Sequence, residues 1–322
     1  MEPIFLKPYF RPKIWGGRKL KEIFNYDIPA GKVGEAWVIS GYKGAASVAV
    51  NGVFKNKSLR KIYRENPELF GNPKSSEFPL LVKFLDACDN LSVQVHPDDS
   101  YAHKIENDSG KTESWYVLQA DPGSYLIYGH TAKNRDELAE MIHHGEWDQL
   151  LRKVPVKAGD FFYVPAGTIH ALTKGIMVIE TQQSSDITYR LYDYDRIDQK
   201  TGKKRELHTQ KSIDVTKVPH VDPKLNINVK QEKDATIKIL VTPPMSPHFY
   251  LWQVELDGDW QTGLVNHPYM LVTVISGTGV IKVDSKIYNI SIGDNFIIPN
   301  MIKEFSFSGK MKMMISAPGS DN

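Results

Sequence analysis

The sequence predicts a mainly β protein, organised as a sandwich or barrel with a few accessory helices. Short runs of β-branched and aromatic residues alternate with Gly, Pro, Asn and Asp along most of the chain, which is typical of such folds. The segments 159–170 and 293–304 also resemble each other, since each begins with Gly-Asp and reaches proline at the same spacing. A repeated β unit of this kind indicates two related halves.

The first third of the chain combines predicted strands with short helices. Apolar runs predict the strands 34–40, 47–50, 79–85 and 91–97, and helical patterns predict helices at 17–24, after the cap residue Ser58, and at 99–107. Lys83 lies inside the apolar strand 79–85. A lysine there needs a partner or a polar cavity, because an isolated buried charge is costly, although it could also reach solvent at a sheet edge.

The rest of the chain is predicted to be mostly strand and turn. Asn134 and Glu137 form a capping-box pattern that begins a helix. The predicted strands are 114–118, 124–128, 159–165, 176–182, 187–192, 271–275, 280–283, 295–298 and 312–315. A polar stretch from 196 to 234 is interpreted as a connection.

Composition narrows the class of protein. The chain has 322 residues, of which 41% are hydrophobic and 24% charged, and its formal net charge is +2. Neither this charge nor the short basic run 200–205 indicates a nucleic-acid partner. The single cysteine, Cys88, is expected to be a packed free thiol in a reducing compartment. Without a long apolar run or a signal-like N-terminus, we expect a soluble cytoplasmic protein with no membrane partner; the oligomeric state stays open.

The strand 91–97 places polar side chains on one face. Side chains alternate along an extended strand, so Ser92, Gln94 and His96 share a face. Taken alone, this face is best interpreted as the solvent side of a half-buried strand. The sequence repeat favours a functional site over a solvent-exposed face, because the first copy ends in His170 where the second has Glu304. Any site is therefore predicted in the first copy.

These motifs resemble known families. The pattern Gly159-x5-Pro165-x-Gly167-x2-His170 resembles the second signature motif of the cupin superfamily, whose barrels carry metal ligands on interior strands. The usual first motif, His-x-His, is absent, and Gln94-x-His96 stands in its place with Glu113 seventeen residues beyond.

Further motifs narrow this resemblance to one family. The segments Lys111-x-Glu113, Pro165-Ala-Gly-x2-His-Ala, Ser185-Asp-x2-Tyr-Arg190, Lys13-Ile-Trp-Gly-Gly and Gly34-Glu-x-Trp37 together are similar to type I mannose-6-phosphate isomerases. The resemblance spans nearly the whole chain and matches the short bacterial form, which lacks the helical insertion of eukaryotic members.

The resemblance implies two cupin barrels and one Zn²⁺ per chain. Its ligands would be Gln94, His96, Glu113 and His170. The donor types suit the ion, since zinc accepts imidazole nitrogen and carboxylate oxygen and a catalytic site keeps a position open. The implied units are a metal-bearing part at 1–195, a connection at 196–234 and a degenerate second barrel at 235–322.

The resemblance also implies residues around the metal. Lys83, Lys111, Arg190 and Ser92 would bind an anionic sugar phosphate, because cations and a hydroxyl suit that ligand. Arg190, Glu180 and Lys111 would be catalytic, with Arg190 stabilising developing negative charge. Glu180 is either a structural partner or a base with a raised pKa, and the base stays open between Glu180, a lysine and metal-bound water.

The implied reaction is the zinc-dependent interconversion of D-mannose 6-phosphate and D-fructose 6-phosphate through a cis-enediolate. Two alternatives come from other classes of protein. A cupin dioxygenase would use iron and normally a His-x-His motif, and the Gln94 position argues against it. A non-catalytic sugar-binding cupin would be expected to lose ligands in both copies, whereas the first copy here is intact.

Overall fold

A computed structural model describes residues 1–198, 201–262 and 266–320. The strands in these ranges are β1 (Ile4–Lys7), β2 (Tyr9–Gly17), β3 (Val33–Ser40), β4 (Val48–Ala49), β5 (Leu80–Ala87), β6 (Val93–Val95), β7 (Glu113–Ala120), β8 (Tyr125–His130), β9 (Leu151–Pro155), β10 (Phe161–Val164), β11 (His170–Leu172), β12 (Ile176–Gln183), β13 (Tyr189–Tyr192), β14 (Ile197–Asp198), β15 (Lys203–Lys204), β16 (Asn228–Glu232), β17 (Ala235–Val241), β18 (Phe249–Gln261), β19 (Met270–Val283), β20 (Lys286–Ser291), β21 (Asn295–Ile298) and β22 (Phe305–Pro318).

The helices in the described ranges are short. They are α1 (Lys19–Phe24), α2 (Leu59–Glu65), α3 (Asp99–Ile105), α4 (Arg135–His144), α5 (Trp147–Leu150) and α6 (Thr209–Val215), with 3₁₀ turns at Gly52–Phe54 and Pro67–Phe70. The mainly β class with accessory helices is confirmed. None of the described helices is long and apolar enough to cross a lipid bilayer.

Three larger sheets organise the molecule. A six-stranded sheet has the order β10-β7-β12-β5-β2-β3, and a five-stranded sheet has the order β13-β6-β11-β8-β9. Apolar side chains from both, including Trp115 and Leu126, form one core between them. A nine-stranded sheet contains β16 to β22 together with β1 and β4. Strand β1 pairs with β21, so the chain's beginning completes a sheet made mostly by its end.

Alternation along β5 and β12 separates two environments. Phe84 of β5 and Ile179 of β12 belong to the core that the six-stranded sheet shares with the nine-stranded sheet. Lys83 and Glu180 are the neighbouring residues and therefore lie on the opposite, inner face. Apolar packing on the outer face thus forces these polar side chains inward.

The sequence repeat is also a structural repeat. The carboxylate of Asp160 accepts the backbone N–H of Lys157 at 2.9 Å, and that of Asp294 accepts the N–H of Ser291 at 2.7 Å. The glycine before each aspartate has a φ near +90°, a conformation that side chains disfavour. The Gly-Asp pair therefore forms the same turn before β10 and before β21.

Three expectations are corrected. Cys88 is exposed rather than packed, because β5 ends at Ala87 and the chain bends away there. The segment 196–234 is more than a polar connection, since it contains α6 and β16. The predicted strands 271–275 and 280–283 are parts of one long strand, β19; Gly277 did not break it.

The N-terminal end of α4 permits a test of the capping interpretation. The Asn134 side chain accepts the N–H of Glu137 at 2.9 Å, as predicted. We expect Asn134→Ala to lower the free energy of unfolding by about 1 kcal/mol, because a helix N–H loses its acceptor, while Asn134→Asp keeps it. Urea denaturation of the three proteins measures this. Equal stability of the Ala and Asp variants would contradict the capping role.

Candidate metal centre

Three side chains of metal-ligating type converge between the six-stranded and the five-stranded sheets. His96, Glu113 and His170 are buried, and one potential ligand atom of each lies within 4.8 Å of the others. The Nε2 atom of His96 is 3.4 Å from Oε2 of Glu113, and Nε2 of His170 is 3.2 Å from Oε1. Residues predicted from three separate motifs are therefore brought to one point.

Backbone geometry explains why these residues meet. Glu113 is the first residue of β7 and His170 the first of β11, on facing sheets. The turn before His170 bonds to His96, the residue that follows β6, since the N–H of Gly167 donates to the His96 carbonyl at 2.8 Å. Gly167 has a φ of +86°, and a Cβ there would lie 2.9 Å from the Val215 carbonyl. This turn therefore requires glycine.

The orientation of His170 suits metal binding. Its Nδ1–H donates to the Thr168 carbonyl at 2.9 Å, which leaves the Nε2 lone pair pointing at Glu113. The amide nitrogen of Gln94 lies 3.3 Å from the same Nε2 atom. Because a 180° amide flip exchanges nitrogen and oxygen, Gln94 can also present its oxygen to this point.

The charge of the centre is set by one carboxylate and one ammonium. Lys111 places Nζ 3.2 Å from Oε2 of Glu113 and 3.0 Å from Nε2 of His96. Burial alone would raise the pKa of Glu113, but Lys111, together with the two histidines, holds it well below its usual range. Burial and Lys111 lower the pKa of His96 to about 3, so its imidazole is neutral, the form that binds metals.

The residues present fit a divalent cation. In the described structure, Oε1 of Glu113 and Nδ1 of His96 are buried without a hydrogen-bond partner, and Oε2 of Glu113 has only its ion-pair contact with Lys111. Unsatisfied buried polar atoms are rare and call for an explanation. Two imidazoles, a carboxylate and an amide are a donor set that a borderline metal ion accepts. The second copy has no equivalent, since Glu304 is exposed where His170 is buried.

Lys83 and Glu180 form a buried ion pair beside the centre. Their Nζ and Oε1 atoms are 2.9 Å apart, and their side chains are about 5% exposed. Trp115 donates its indole N–H to Oε2 of Glu180 at 2.8 Å, and its ring packs edge-on against His170 at 5.2 Å. Trp115 therefore links the ion pair to the candidate ligand His170, a role that no sequence motif indicated.

Arg190 and Ser92 lie near the candidate ligand Gln94, one on the neighbouring strand and the other just before the same strand. Arg190 of β13 is opposite Gln94 of β6, so the two side chains share a face. Ser92 is buried and directly precedes β6. Arg190 thus lies on the strand next to that of Gln94, and Ser92 lies two residues before Gln94.

A second charged network extends from Lys83 and was missed by the sequence analysis. Trp37 lies opposite Lys83 and donates its indole N–H to Glu35 at 2.6 Å, while Lys13 pairs with Glu35 at 2.8 Å. The Lys83 ammonium also lies over the Trp37 ring, at 5.3 Å. The signal was present, because Glu35 interrupts an apolar strand as Lys83 does.

Comparisons with known proteins point to one family. The chain matches the family model "Phosphomannose isomerase type I, catalytic domain" over residues 4–130 and "Mannose-6-phosphate isomerase, cupin domain" over residues 242–318. It is 49% identical over 321 residues to a mannose-6-phosphate isomerase of Streptococcus mutans, covering 98% of both chains. These matches confirm the predicted cupin fold.

Solved structures agree with these matches. The crystal structure of the mannose 6-phosphate isomerase from Bacillus subtilis has a TM-score of 0.94 and 41% identity, covering 98% of this chain and 99% of that one. A putative mannosephosphate isomerase from Archaeoglobus fulgidus has a TM-score of 0.75 at 18% identity, covering 98% of both chains, which shows a shared fold.

The Lys83–Glu180 pair predicts a large effect on stability. Glu180→Ala leaves a buried ammonium without its nearest carboxylate, so we expect the free energy of unfolding to fall by about 3–5 kcal/mol. The double variant Lys83→Met, Glu180→Leu should recover much of this loss, because no unpaired charge remains. Guanidinium denaturation measures both. As a control, Asp257→Ala removes the partner of the exposed Lys310 and should change little.

Glu35 predicts a dependence of stability on pH. Burial would raise its pKa, but Lys13 and Lys83 lower it to about 2. A carboxyl with a lowered folded-state pKa stabilises the protein above its ordinary pKa, and this contribution is lost as pH falls towards 2. We therefore expect wild type to be more stable than Glu35→Gln at pH 7 and 5, with a difference that shrinks between pH 4 and pH 3. Denaturation midpoints at these pH values test it; a difference independent of pH would contradict it. The exposed Glu68→Gln is the control.

Proposed function

The chain belongs to the type I mannose-6-phosphate isomerases, a family of aldose–ketose isomerases, and from this we propose that it interconverts D-mannose 6-phosphate and D-fructose 6-phosphate with one zinc ion, through a cis-enediolate. The observation that carries the proposal is the buried group of His96, Glu113 and His170. A metal-binding group at the family's motif positions is what such an isomerase needs.

Gln94, His96, Glu113 and His170 are the proposed ligands. Two neutral imidazoles and a single carboxylate would leave a bound divalent ion with net positive charge, and the neutral amide of Gln94 would not reduce it. When bound, zinc supplies Lewis-acid polarisation and orientation of the substrate oxygens. The cation in this place would also compensate the Glu113 charge, which Lys111 alone faces in the described structure.

Lys83, Lys111, Arg190 and Ser92 are the proposed substrate-binding residues. Cations suit the dianionic phosphate and the sugar oxygens of the substrate. Lys111 reaches the ligand group directly, at 3.2 Å from Glu113, and Arg190 is opposite Gln94. The phosphate and the reacting oxygens would thus be held by different side chains of this set.

From mannose 6-phosphate to fructose 6-phosphate, one proton moves from C2 to C1 and the hydroxyl proton of O2 moves to O1. A base removes the proton from the carbon next to the open-chain carbonyl, and the electron pair passes to the carbonyl oxygen, which gives the enediolate. The same group then returns the proton to the other carbon. Glu180, Lys111 and Arg190 are the proposed catalytic residues, with Arg190 and Lys111 stabilising the oxyanion. Glu180 is the carboxylate candidate for the base, held in place by Lys83 and Trp115.

The remaining assignments follow from these. We propose residues 1–195 as the catalytic part, 196–234 as the connection and 235–322 as a second barrel with a structural role. Aromatic and aliphatic side chains such as Trp260, Phe296 and Phe307 fill the core of that second part. The exposed free thiol of Cys88 is consistent with a reducing, cytoplasmic compartment.

Substitution of the ligands tests the proposal. We expect His96→Ala and Glu113→Ala each to lower isomerase activity more than about a hundredfold and to lose bound zinc, because each removes a ligand of the ion. A coupled assay with mannose 6-phosphate measures the activity, and mass spectrometry measures the metal content.

His143→Ala removes an exposed histidine at the end of α4 and serves as the control. It should keep full activity and one zinc per chain. Full activity in either ligand variant, or none in the zinc-loaded wild type, would refute the isomerase proposal. Oxygen uptake by the iron-loaded protein would favour a dioxygenase instead.

A further inference from the structure

The strand that carries Arg190 lies at the edge of its sheet. Strand β13 pairs with β6 on one side, and within the described residues no strand pairs with its other side. An edge strand leaves its outward N–H and C=O groups unpaired, so its position is less well determined than that of a central strand. A residue that must hold a precise place there needs another support.

His208 supplies that support at Arg190. The backbone N–H of Arg190 donates to Nδ1 of His208 at 3.1 Å, and its carbonyl accepts the backbone N–H of His208 at 2.7 Å. Both groups therefore point away from β6, which makes Arg190 and Gln94 a non-hydrogen-bonded pair. In such pairs the two side chains stand closest to each other.

The guanidinium is held by the same segment. Nη1 of Arg190 donates to the carbonyl of Glu206 at 2.7 Å. The segment 206–208 thus binds Arg190 at three points, two on its backbone and one at the end of its side chain. This arrangement restrains both the strand and the side-chain torsions of one residue.

His208 is itself anchored to the body of the protein. Its carbonyl accepts the N–H of Ser212 at 2.8 Å and the Ser212 hydroxyl at 2.9 Å, in the first turn of α6. Ser212 is fully buried, and Lys211 of the same helix pairs with Glu106 at 2.7 Å. These hydrogen bonds fix His208 relative to α6, and His208 in turn fixes Arg190.

The acceptor role of Nδ1 requires a neutral imidazole. Burial lowers the pKa of His208, and the neighbouring cations Arg190 and Lys211 lower it further, against the opposing effect of Glu206 and Glu106. The ring also lies 6.0 Å from the Tyr189 ring. The hydrogen bond to the Arg190 N–H is therefore available at neutral pH.

We infer that His208 is a positioning residue of the isomerase reaction, which acts by holding Arg190 in register with Gln94 without touching substrate or metal. This inference rests on the proposed catalytic role of Arg190. It assigns a function to the segment 206–208, which the sequence analysis interpreted only as part of a connection.

A matched pair of variants tests the side-chain contact. His208→Asn keeps an acceptor close to the Nδ1 position, whereas His208→Leu fills similar space without one. We expect His208→Leu to lower kcat by about ten- to a hundredfold, because misplacement of a reacting group costs rate on this scale. KM should rise as well, since Arg190 is also proposed to bind substrate. His208→Asn should stay within about threefold of wild type, and zinc content should be unchanged in both.

A double-variant cycle separates positioning from a general structural role. If His208 acts through Arg190, adding His208→Leu to Arg190→Ala should cause no further loss of kcat. A multiplicative loss in the double variant would overturn the inference, as would equal defects in the Leu and Asn variants or a kcat within twofold of wild type for His208→Leu. Circular dichroism confirms that each variant is folded.

Two further outcomes are distinguishable. Should His208→Leu not fold, His208→Gln replaces it, because its amide lies one bond beyond the Nδ1 position and predicts the same loss of kcat. If wild type loaded with zinc shows no isomerase activity, the proposed function and this inference both fall. If wild type is active and the kcat of His208→Leu or His208→Gln equals that of wild type, only the role of His208 is overturned.

Discussion

The buried negative charge of Glu113 is the constraint on which the centre depends. A carboxylate excluded from water is costly unless cations or hydrogen bonds compensate it. Here the compensation comes from Lys111, whose Nζ atom lies 3.2 Å from Oε2 of Glu113. The Nδ1–H of His170 donates to a backbone carbonyl, which directs Nε2 of the same ring towards the carboxylate. The fold that buries this charge therefore also places imidazole nitrogens beside it, in an arrangement that suits a metal ion.

Polar residues face inward because apolar side chains occupy the outer face of the six-stranded sheet. That face packs against the nine-stranded sheet, so alternation leaves the inner face for Lys83, Glu180 and Glu113. Each buried carboxylate there accepts a tryptophan N–H or lies beside a lysine. Trp115 donates its indole N–H to Glu180, and Trp37 donates its own to Glu35. Glu113 lies beside Lys111. The nine-stranded sheet thus contributes indirectly to the candidate site, because it covers the apolar side of the sheet that carries these polar residues.

Two residues outside the strands, Gly167 and His208, help to hold the candidate site in place. Gly167 allows the tight turn that joins the His96 carbonyl to the start of β11, and His208 secures the open edge at Arg190. Gly167 contacts the segment 206–217, since its carbonyl accepts the N–H of Lys217 at 2.9 Å, and His208 belongs to the same segment. A stretch of low hydrophobicity therefore packs against the outside of the five-stranded sheet.

The sequence alone determined the mainly β class, the repeat, the capped helix at Asn134 and the ligand-type residues Gln94, His96, Glu113 and His170, because strand alternation, turn chemistry and motif spacing are local properties. It did not identify Trp115, Glu35 or His208 as partners, and it misjudged the exposure of Cys88. Glu35 and Trp37 are two positions apart, but Arg190–His208 and Trp115–Glu180 join residues that are 18 and 65 positions apart. Only the tertiary structure decided them, since the pairing of distant strands, and not any local pattern, sets which buried charges meet.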